Sequence, residues 1–581
     1  MCGIAGTVGS QGVTEQDVRK MIAAIRYRGR DEAGVETKGP AIMGHARLAI
    51  VDLENGFQPM SNTDNSVWVI FNGEIYNFVE IRKNLEAKGY KFKSRCDTEV
   101  LVHLWTEKGE KLLDDLIGMF SFFIWDTTKK KGILVRDRLG IKPCFIANYK
   151  GGIAFCSEIK GLLTLPEFHK SPNRKALLNT FAFNYCPPPQ TCFEGVTQLE
   201  PGTYLLFEEG KKTTQHKYWE RPCFETKNTL RHGEWEDLMR DAIQMQMRFD
   251  VEGGLFLSGG IDSSVVGSYL IEQWNKDKLE ATALDFKEQG YSEYNHSKKA
   301  ADILGIKLNP ALISWEMIPK VAEKVSWHAE QPHGDFSFFL FYILSKKAHQ
   351  EGKTVMFTGD GPDESLLGFN HNISFFNEYG SDTFLSEKYF EKICYMDDMM
   401  SRRLLDADII ETTEKPLKHF QNMLKPWANL NPIEQVIAYE TTYLMPGNNC
   451  IKGDRMGACW SIEGRSPYLD HRIVEFFAKL PIEEKFHSGI GKRFLKQQAE
   501  KQFPREFLYG KKRMPTTPIG DWFKTVLYNW SKEILASQHH DLFNQNEALK
   551  VLDEHKEGIA NHTRALRTLL MTSLWASNYF K

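Results

Sequence analysis

Cysteine is scarce and dispersed: 581 residues contain ten, and no two form a C-x-x-C pair. That spacing excludes a zinc ribbon and a thioredoxin motif. So long a chain with so few cysteines is not a disulfide scaffold, and it fits a reducing cytoplasm. Long apolar runs are missing as well. The most apolar stretch, residues 336–344, is less than half the ~20 residues a membrane-spanning helix needs. The opening MCGIAGTVGS has no basic segment and no long apolar run, so no signal peptide is expected. Charge imbalance is small, with 73 Lys+Arg against 76 Asp+Glu and a formal net charge of −3. This argues against a general nucleic-acid binder and against a polybasic membrane binder. Internal repeats and low-complexity segments are absent.

What is present is ordinary globular material, 42% hydrophobic and 26% charged, enough to bury large cores. The first part is rich in short β-type runs, at residues 42–50, 66–71, 120–125 and 132–136, bounded by Gly, Asn or Asp. Helical periodicity is clearest at 77–88 and 99–108. A β-rich α+β domain is expected over 1–210. Residues 185–191 carry three consecutive prolines and read as an irregular connector. A polar linker is placed at 211–232. From 233 to 581 the pattern changes to strand, glycine turn and helix. Strands are expected at 254–257, 281–286 and 354–358, and helices at 263–273 and 294–304. That alternation predicts a doubly wound parallel sheet, followed by a largely helical C-terminal part.

Cys2 directly follows the initiator methionine. If Met1 is removed, one residue supplies a thiol and a free α-amine whose ordinary pKa of ~7.7–8.0 suits a base near neutral pH. Acyl transfer also needs donors for an oxyanion. Asn72 and Gly73, at the expected end of the strand VIF, offer a side-chain amide and a backbone N–H. Arg47 suits a substrate α-carboxylate, and Asp97 with Glu74 suits an α-ammonium. Each of these residues alone is weak evidence; their combination is specific.

The strings MCGIAG, RYRGRDEAG, GHARLAIVD, FNGEIYN and CDTE occur in the order and context of the class II glutamine amidotransferase domain, which this region resembles. RDRLGIKP and SEIKGLL continue the likeness. The resemblance implies an N-terminal-nucleophile αββα sandwich that hydrolyses glutamine through a thioester. It makes Cys2 the nucleophile and Asn72 and Gly73 the oxyanion hole. Arg47, Leu48, Ala49, Ile50 and Val51, with Glu74 and Asp97, would hold glutamine. Arg30 stands where the family usually has proline.

Residues 255–264 read LFLSGGIDSS, a strand entering a Ser-Gly-Gly turn and a helix leaving through Asp-Ser-Ser. Glycines let backbone N–H groups close on an anion, serines add hydroxyl donors, and the helix start favours negative charge. No lysine occupies the Walker position, so this is not a kinase-type P-loop. A second loop, TGDGPDE, follows the strand VMF. Asp262 and Asp363 would then both lie at ends of parallel strands, where open α/β sheets bind ligands. Two carboxylates there can hold Mg²⁺ together with phosphates.

SGGxDSS in this setting resembles the pyrophosphate loop of the ATP pyrophosphatase group, which adenylates its substrates. GDRMGACWSIEGRSPYLDH and GKRFLK extend the likeness, and nearly the whole chain resembles the glutamine-hydrolysing asparagine synthetase family. That resemblance implies ATP contacts from Leu257, Ser258, Gly259, Gly260, Asp262, Ser263, Ser264, Leu284, Thr358 and Gly359. It implies Mg²⁺ at Asp262 and Asp363, an acid at Asp360 for the acyl-adenylate and the ammonia proton, and Lys492 near the pyrophosphate. Arg465 and Asp470 read as structural ion-pair members. The implied reaction is ATP-dependent amidation of L-aspartate to L-asparagine with glutamine as nitrogen donor, in the cytoplasm, with small-molecule substrates and a homodimer as the family's state. Ammonia must cross between sites uncharged, so an apolar internal passage is expected. Amidation of another carboxylate, in natural-product or surface-polysaccharide synthesis, is the alternative. Ring closure on an internal amine and a non-catalytic paralogue rank below it, because Cys2 and the phosphate loop are intact.

Overall fold

A computed structural model describes residues 1–223, 233–275, 277–287, 294–510, 518–537 and 541–580. The first half holds two six-stranded antiparallel sheets. One contains β1 (Gly3–Val8), β2 (Glu32–Lys38), β3 (Ala41–Arg47), β8 (Phe145–Tyr149), β9 (Gly152–Cys156) and β10 (Val196–Gln198). The other contains β4 (Met60–Ser61), β5 (Val67–Ile75), β6 (Gly118–Asp126), β7 (Lys131–Arg136), β11 (Thr203–Glu208) and β12 (Thr214–Lys217). The alternation of side chains along β5 fills two cores at once. Val67, Val69 and Phe71 pack with the helix Glu99–Lys108, whereas Ile70 joins Ile4, Phe123 and Phe155 between the sheets. On the opposite side, the helix Glu15–Ala24 covers the first sheet through Val18, Met21 and Ile22. These layers make the αββα sandwich.

β5 runs on to Ile75, so Asn72 and Gly73 lie inside the strand, not at its end. The antiparallel pairing with β6, Asn72 opposite Ser121 and Gly73 opposite Phe120, supplies the register that extends it. The first domain also continues past 210. β12 pairs with β11 as an edge strand where the linker was expected. Beyond it, Trp219 donates to Glu475 at 2.9 Å and Arg221 to Glu434 at 3.2 Å, so this stretch is already anchored on the second half. The rest of the expected linker, 224–232, lies outside the described residues.

The second half is built on a five-stranded sheet in the order β15-β14-β13-β16-β17, every neighbouring pair parallel. Its strands are β13 (Gly253–Phe256), β14 (Glu280–Phe286), β15 (Lys307–Ile313), β16 (Val355–Phe357) and β17 (Glu463–Arg465). The chain moves outward from β13 to β15, then returns to the other side of β13. That reversal opens a crevice at the C-terminal ends of β13 and β16. Helices follow to Thr563–Tyr579, and no described helix is long and apolar enough to cross a membrane.

The halves are joined by buried charges. Arg28 reaches Glu158 at 2.6 Å and Asp454 at 2.7 Å, and Arg455 reaches Glu158 at 2.8 Å and Glu330 at 2.7 Å. Arg28 comes from RYRGR and Asp454 and Arg455 from GDRMG, so those strings build the domain contact. Arg30 joins them, donating to the Cys459 carbonyl at 2.9 Å.

Candidate active sites and the passage between them

Cys2 precedes β1, with its thiol 3.7 Å from the Leu48 carbonyl and its own carbonyl held by Arg28 at 2.8 Å. Burial pushes the thiol pKa above its ordinary 9.0, partly opposed by the nearby α-ammonium. A thiol in that condition needs a base beside it. Met1 is present and buried, and the loss of hydration lowers its α-amine to about 6.

Asn72 is completely buried, and neither its Nδ2 nor its Oδ1 has a hydrogen-bond partner among the described residues. An unmet buried amide is costly in a finished structure and useful in a site awaiting an oxyanion. Gly73 has φ +152°, and a Cβ there would lie 2.0 Å from the Met119 carbonyl. Only glycine fits. His45, which sequence reasoning did not single out, reaches the Phe71 carbonyl at 3.0 Å and so ties β3 to the residue before Asn72. Its pKa is lowered to about 3 by burial, so it is a neutral strut.

Arg47 is buried and its guanidinium is already engaged. It donates to the carbonyls of Asp52 at 2.6 Å, Val51 at 3.3 Å and Leu53 at 3.3 Å. The Glu32 carboxylate lies 3.2 Å from Nη1, where a substrate carboxylate would have to compete. Ala49 N–H donates to Asp31 at 2.7 Å. Leu48 and Ile50 turn their side chains into the second domain's core beside Leu255 and Leu257, and Val51 packs against it. The Ile50 carbonyl also accepts from Asp250 N–H at 2.8 Å. The loop expected to hold glutamine is therefore also a domain contact. Glu74 and Asp97 both face the buried region under β5. Asp97 accepts from Ile75 N–H at 2.9 Å, and burial pushes its pKa up to about 6. Burial also raises Glu74, against the pull of Arg465.

At the second site Leu257 follows β13 directly, and the Ser258-Gly259-Gly260 turn leads into the helix Ile261–Gln273. Gly259 has φ +74°, and a Cβ there would lie 2.5 Å from Ser297 N. Ser263 Oγ accepts from Ser258 N–H at 3.1 Å, and Ser264 Oγ donates to the Gly260 carbonyl at 2.8 Å. Thr358 and Gly359 leave the neighbouring strand, β16, and a Cβ on Gly359 would meet Ser263 N at 2.5 Å. The two loops are in direct contact. Leu284, near the end of β14, lies one strand further and is half-buried. A cavity of about 380 Å³ opens over the turn, lined by Ser258, Gly260, Asp262, Lys492 and Lys496.

Lys492 lies 2.6 Å from Asp262 and 2.6 Å from Asp363. Burial works against its charge, but the two carboxylates outweigh burial and hold it protonated. Gly368 keeps the space open, since a Cβ there would meet Lys492 Cε at 1.9 Å. Two carboxylates converging on one cation suit Mg²⁺, which takes one or two protein carboxylates plus phosphates. Among the described residues no three acidic, His or Cys groups form a metal cage, so the phosphates would complete the ligand set. Asp360 accepts from Thr358 Oγ1 at 2.7 Å, and its pKa is raised by burial. Arg465 and Asp470 have structural roles: Arg465 bridges Glu463 and Glu74, and Asp470 caps the helix His471–Lys479.

A narrow cavity of about 60 Å³ lies between the sites. Met1, Tyr76 and Met119 line it from the first domain, and Thr358, Asp360 and Glu364 from the second.

These two halves define a class of protein in which an amino-terminal thiol domain is docked onto a nucleotide-type parallel sheet. Residues 1–219 match the glutamine amidotransferase domain family, and residues 234–577 match the asparagine synthase family. The chain belongs to the asparagine synthase family. It is 30% identical to asparagine synthetase [glutamine-hydrolyzing] 1 of Bacillus subtilis, over 99% of this chain and 96% of that one. Asparagine synthetase [glutamine-hydrolyzing] 2 of the same organism is 31% identical, over 83% of this chain and 67% of that one. Among solved structures, the glutamine phosphoribosylpyrophosphate amidotransferase of B. subtilis aligns with TM-score 0.30 and 15% identity, over 72% of this chain and 100% of that one.

Proposed function

We propose that the chain moves nitrogen from glutamine to a carboxylate that it activates with ATP, releasing glutamate, AMP and pyrophosphate. The observation that carries this reading is the narrow cavity walled jointly by Met1 and Asp360. With Met1 removed, the α-amine of Cys2 takes the thiol proton, and sulfur attacks the glutamine amide carbon. Asn72 Nδ2 and Gly73 N–H stabilise the oxyanion. Collapse expels ammonia and leaves a thioester, which water hydrolyses to glutamate. Arg47 and the 48–51 backbone orient the substrate carboxylate, and Glu74 and Asp97 its ammonium.

At the other site the acceptor carboxylate attacks the α-phosphorus of ATP, forming an acyl-adenylate. The Ser258–Ser264 turn holds the phosphates, and Leu257, Leu284, Thr358 and Gly359 flank the nucleotide. Mg²⁺ at Asp262 and Asp363 would neutralise phosphate charge, and Lys492 answers the charge growing on the departing pyrophosphate. Ammonia travels unprotonated, because apolar walls such as Met119, Phe256, Met445 and Leu469 disfavour ammonium. It attacks the acyl carbon, AMP leaves, and Asp360 accepts the surplus proton.

The names of the relatives point to aspartate as acceptor. A second reading, a larger carboxylate, is favoured by the volume of the cavity beside Asp360, described below. The test is amide-¹⁵N glutamine with excess unlabelled ammonium chloride, MgATP and aspartate. Retained label in the product together with pyrophosphate release supports the reading. Product carrying only bulk nitrogen, or no AMP with any carboxylate, rejects it.

A further inference from the structure

A third space is distinct from the phosphate turn and from the narrow passage. It is a cavity of about 700 Å³ that adjoins the passage, because Asn449 lines both. Asn449 also donates to Glu364, and Lys452, on the wall of the large cavity, lies close enough to lower the Asp360 pKa. One end of this space therefore sits beside the acid at which amide formation is placed. A free amino acid such as aspartate needs only a fraction of this volume, which falls in the roughly 300–1,000 Å³ range of drug-sized ligands.

The walls say what kind of molecule fits. Tyr395, Tyr439, Phe369 and Phe183 present aromatic surface, suited to the face of a ring. Arg564 and Arg567 project from the helix Thr563–Tyr579, with guanidinium carbons 5.0 and 5.5 Å from the Tyr395 ring. Neither has a carboxylate partner among the described residues, and the buried Nε of Arg567 makes no hydrogen bond. The acids on the wall are mostly engaged. Asp335 is held by Asn448 at 3.0 Å and Lys452 at 3.4 Å, and Glu440 by Asn372 at 2.9 Å. Asp521, also on the wall, is engaged as well. Two neighbouring guanidiniums on a ring-lined wall match an anion with several oxygens, such as phosphate.

We infer that the acceptor is a ring-bearing carboxylate with a second anionic group, the chemistry of a phosphorylated uronic acid, with its carboxylate at Asn449 and Lys452 and its other anion at Arg564 and Arg567. This rests on the amidation reading above and names the substrate class of that site. The acceptor carboxylate becomes the acyl-adenylate and then the amide, and the second anion takes no part in bond making.

The test measures pyrophosphate release from MgATP and ammonium chloride with aspartate, glucuronic acid and glucuronic acid 1-phosphate. The expected result is a kcat/KM for the phosphorylated acid about tenfold or more above that for glucuronic acid, carried mainly in KM. Arg567→Ala should erase that margin and Arg567→Lys should restore part of it. Arg564→Ala serves as a second variant if Arg567→Ala fails to fold. A preference for aspartate, or a margin insensitive to both arginines, overturns the inference and leaves the amidation reading standing. Absence of pyrophosphate with every acid overturns both.

Discussion

Arg465 and Glu74 meet across the domain boundary at 3.1 Å, so one guanidinium links the strand of the candidate glutamine site to the edge of the candidate nucleotide site. Arg465 is fully buried, its Nε lies 3.1 Å from Glu463, and its carbonyl accepts from Thr358 N–H at 2.9 Å. Breaking a buried pair strands a charge, at a cost of about 3–5 kcal/mol. Arg465→Met is therefore expected to lower the urea midpoint strongly and to raise the KM for glutamine. Adding Glu74→Gln removes the stranded carboxylate and should restore about 1 kcal/mol or more. Strict additivity of the two substitutions would show that the pair is not coupled.

Cys2→Ala leaves the β1 backbone and the Arg28 contact to its carbonyl in place. Glutamine consumption should fall to background, while product formation from ammonium chloride stays within about twofold of wild type. Residual glutaminase activity of the purified variant would move the nucleophile elsewhere.

Asp262→Asn halves the negative charge that Asp262 and Asp363 direct at Lys492. Pyrophosphate release should drop by about 100-fold or more, the scale of losing one preorganised charge in a site. Glutaminase activity measured without ATP should persist, because Asp262 lies in the other domain. Loss of both activities together would mean that the substitution disturbs the domain contact instead.

The chemistry-bearing segments were legible because their residue types are dictated locally. Gly73 and Gly259 occupy positions where a Cβ would strike backbone, and the SGGIDSS turn follows a short apolar strand. The helix over 99–108 and the strands near 254–257 and 281–286 were visible from periodicity. What escaped notice is set by distant partners. β17 is three residues of Glu, Gly and Arg, and its pairing with β16 comes from the sheet, not from β propensity. β12, Thr214–Lys217, is exposed and polar and exists through its ladder to β11. His45 looks like an ordinary polar residue until burial shows what it ties together, whereas Arg465 reads from the sequence as an ion-pair member without its partners, Glu74 and Glu463.

Burial of Asp97, at the candidate glutamine site, sets the sign of a pH dependence of stability. The folded pKa of this acid is about 6 against an ordinary 3.8, chiefly through burial. The folded chain holds this proton more tightly than the unfolded chain. The resulting stability is whole below the unfolded value and is lost as pH rises through about 6. Two units correspond to about 3 kcal/mol. His45, lowered to about 3, runs the other way and loses stability as pH falls below its ordinary 6.5. The difference between Asp97→Asn and wild type isolates the acid. That difference in unfolding midpoint should shift in favour of the variant from about pH 4.5 to about pH 7, and a constant difference would place the Asp97 pKa at its ordinary value.

Substitution at Gly464 tests transport apart from chemistry. This glycine lies in β17 on the wall of the narrow cavity, and a Cβ there would have only Thr358 Cγ2 nearby, at 3.8 Å. Alanine therefore fits, whereas leucine would project into a space of about 60 Å³ that has little room for it. Gly464→Ala should behave as wild type. Gly464→Leu should keep glutamine hydrolysis and ammonium-supported synthesis, while product formed per glutamine consumed falls severalfold. The ammonia would then appear in solution, where a coupled glutamate dehydrogenase assay can count it. Unchanged coupling in the leucine variant would mean that nitrogen takes another route between Cys2 and Asp360.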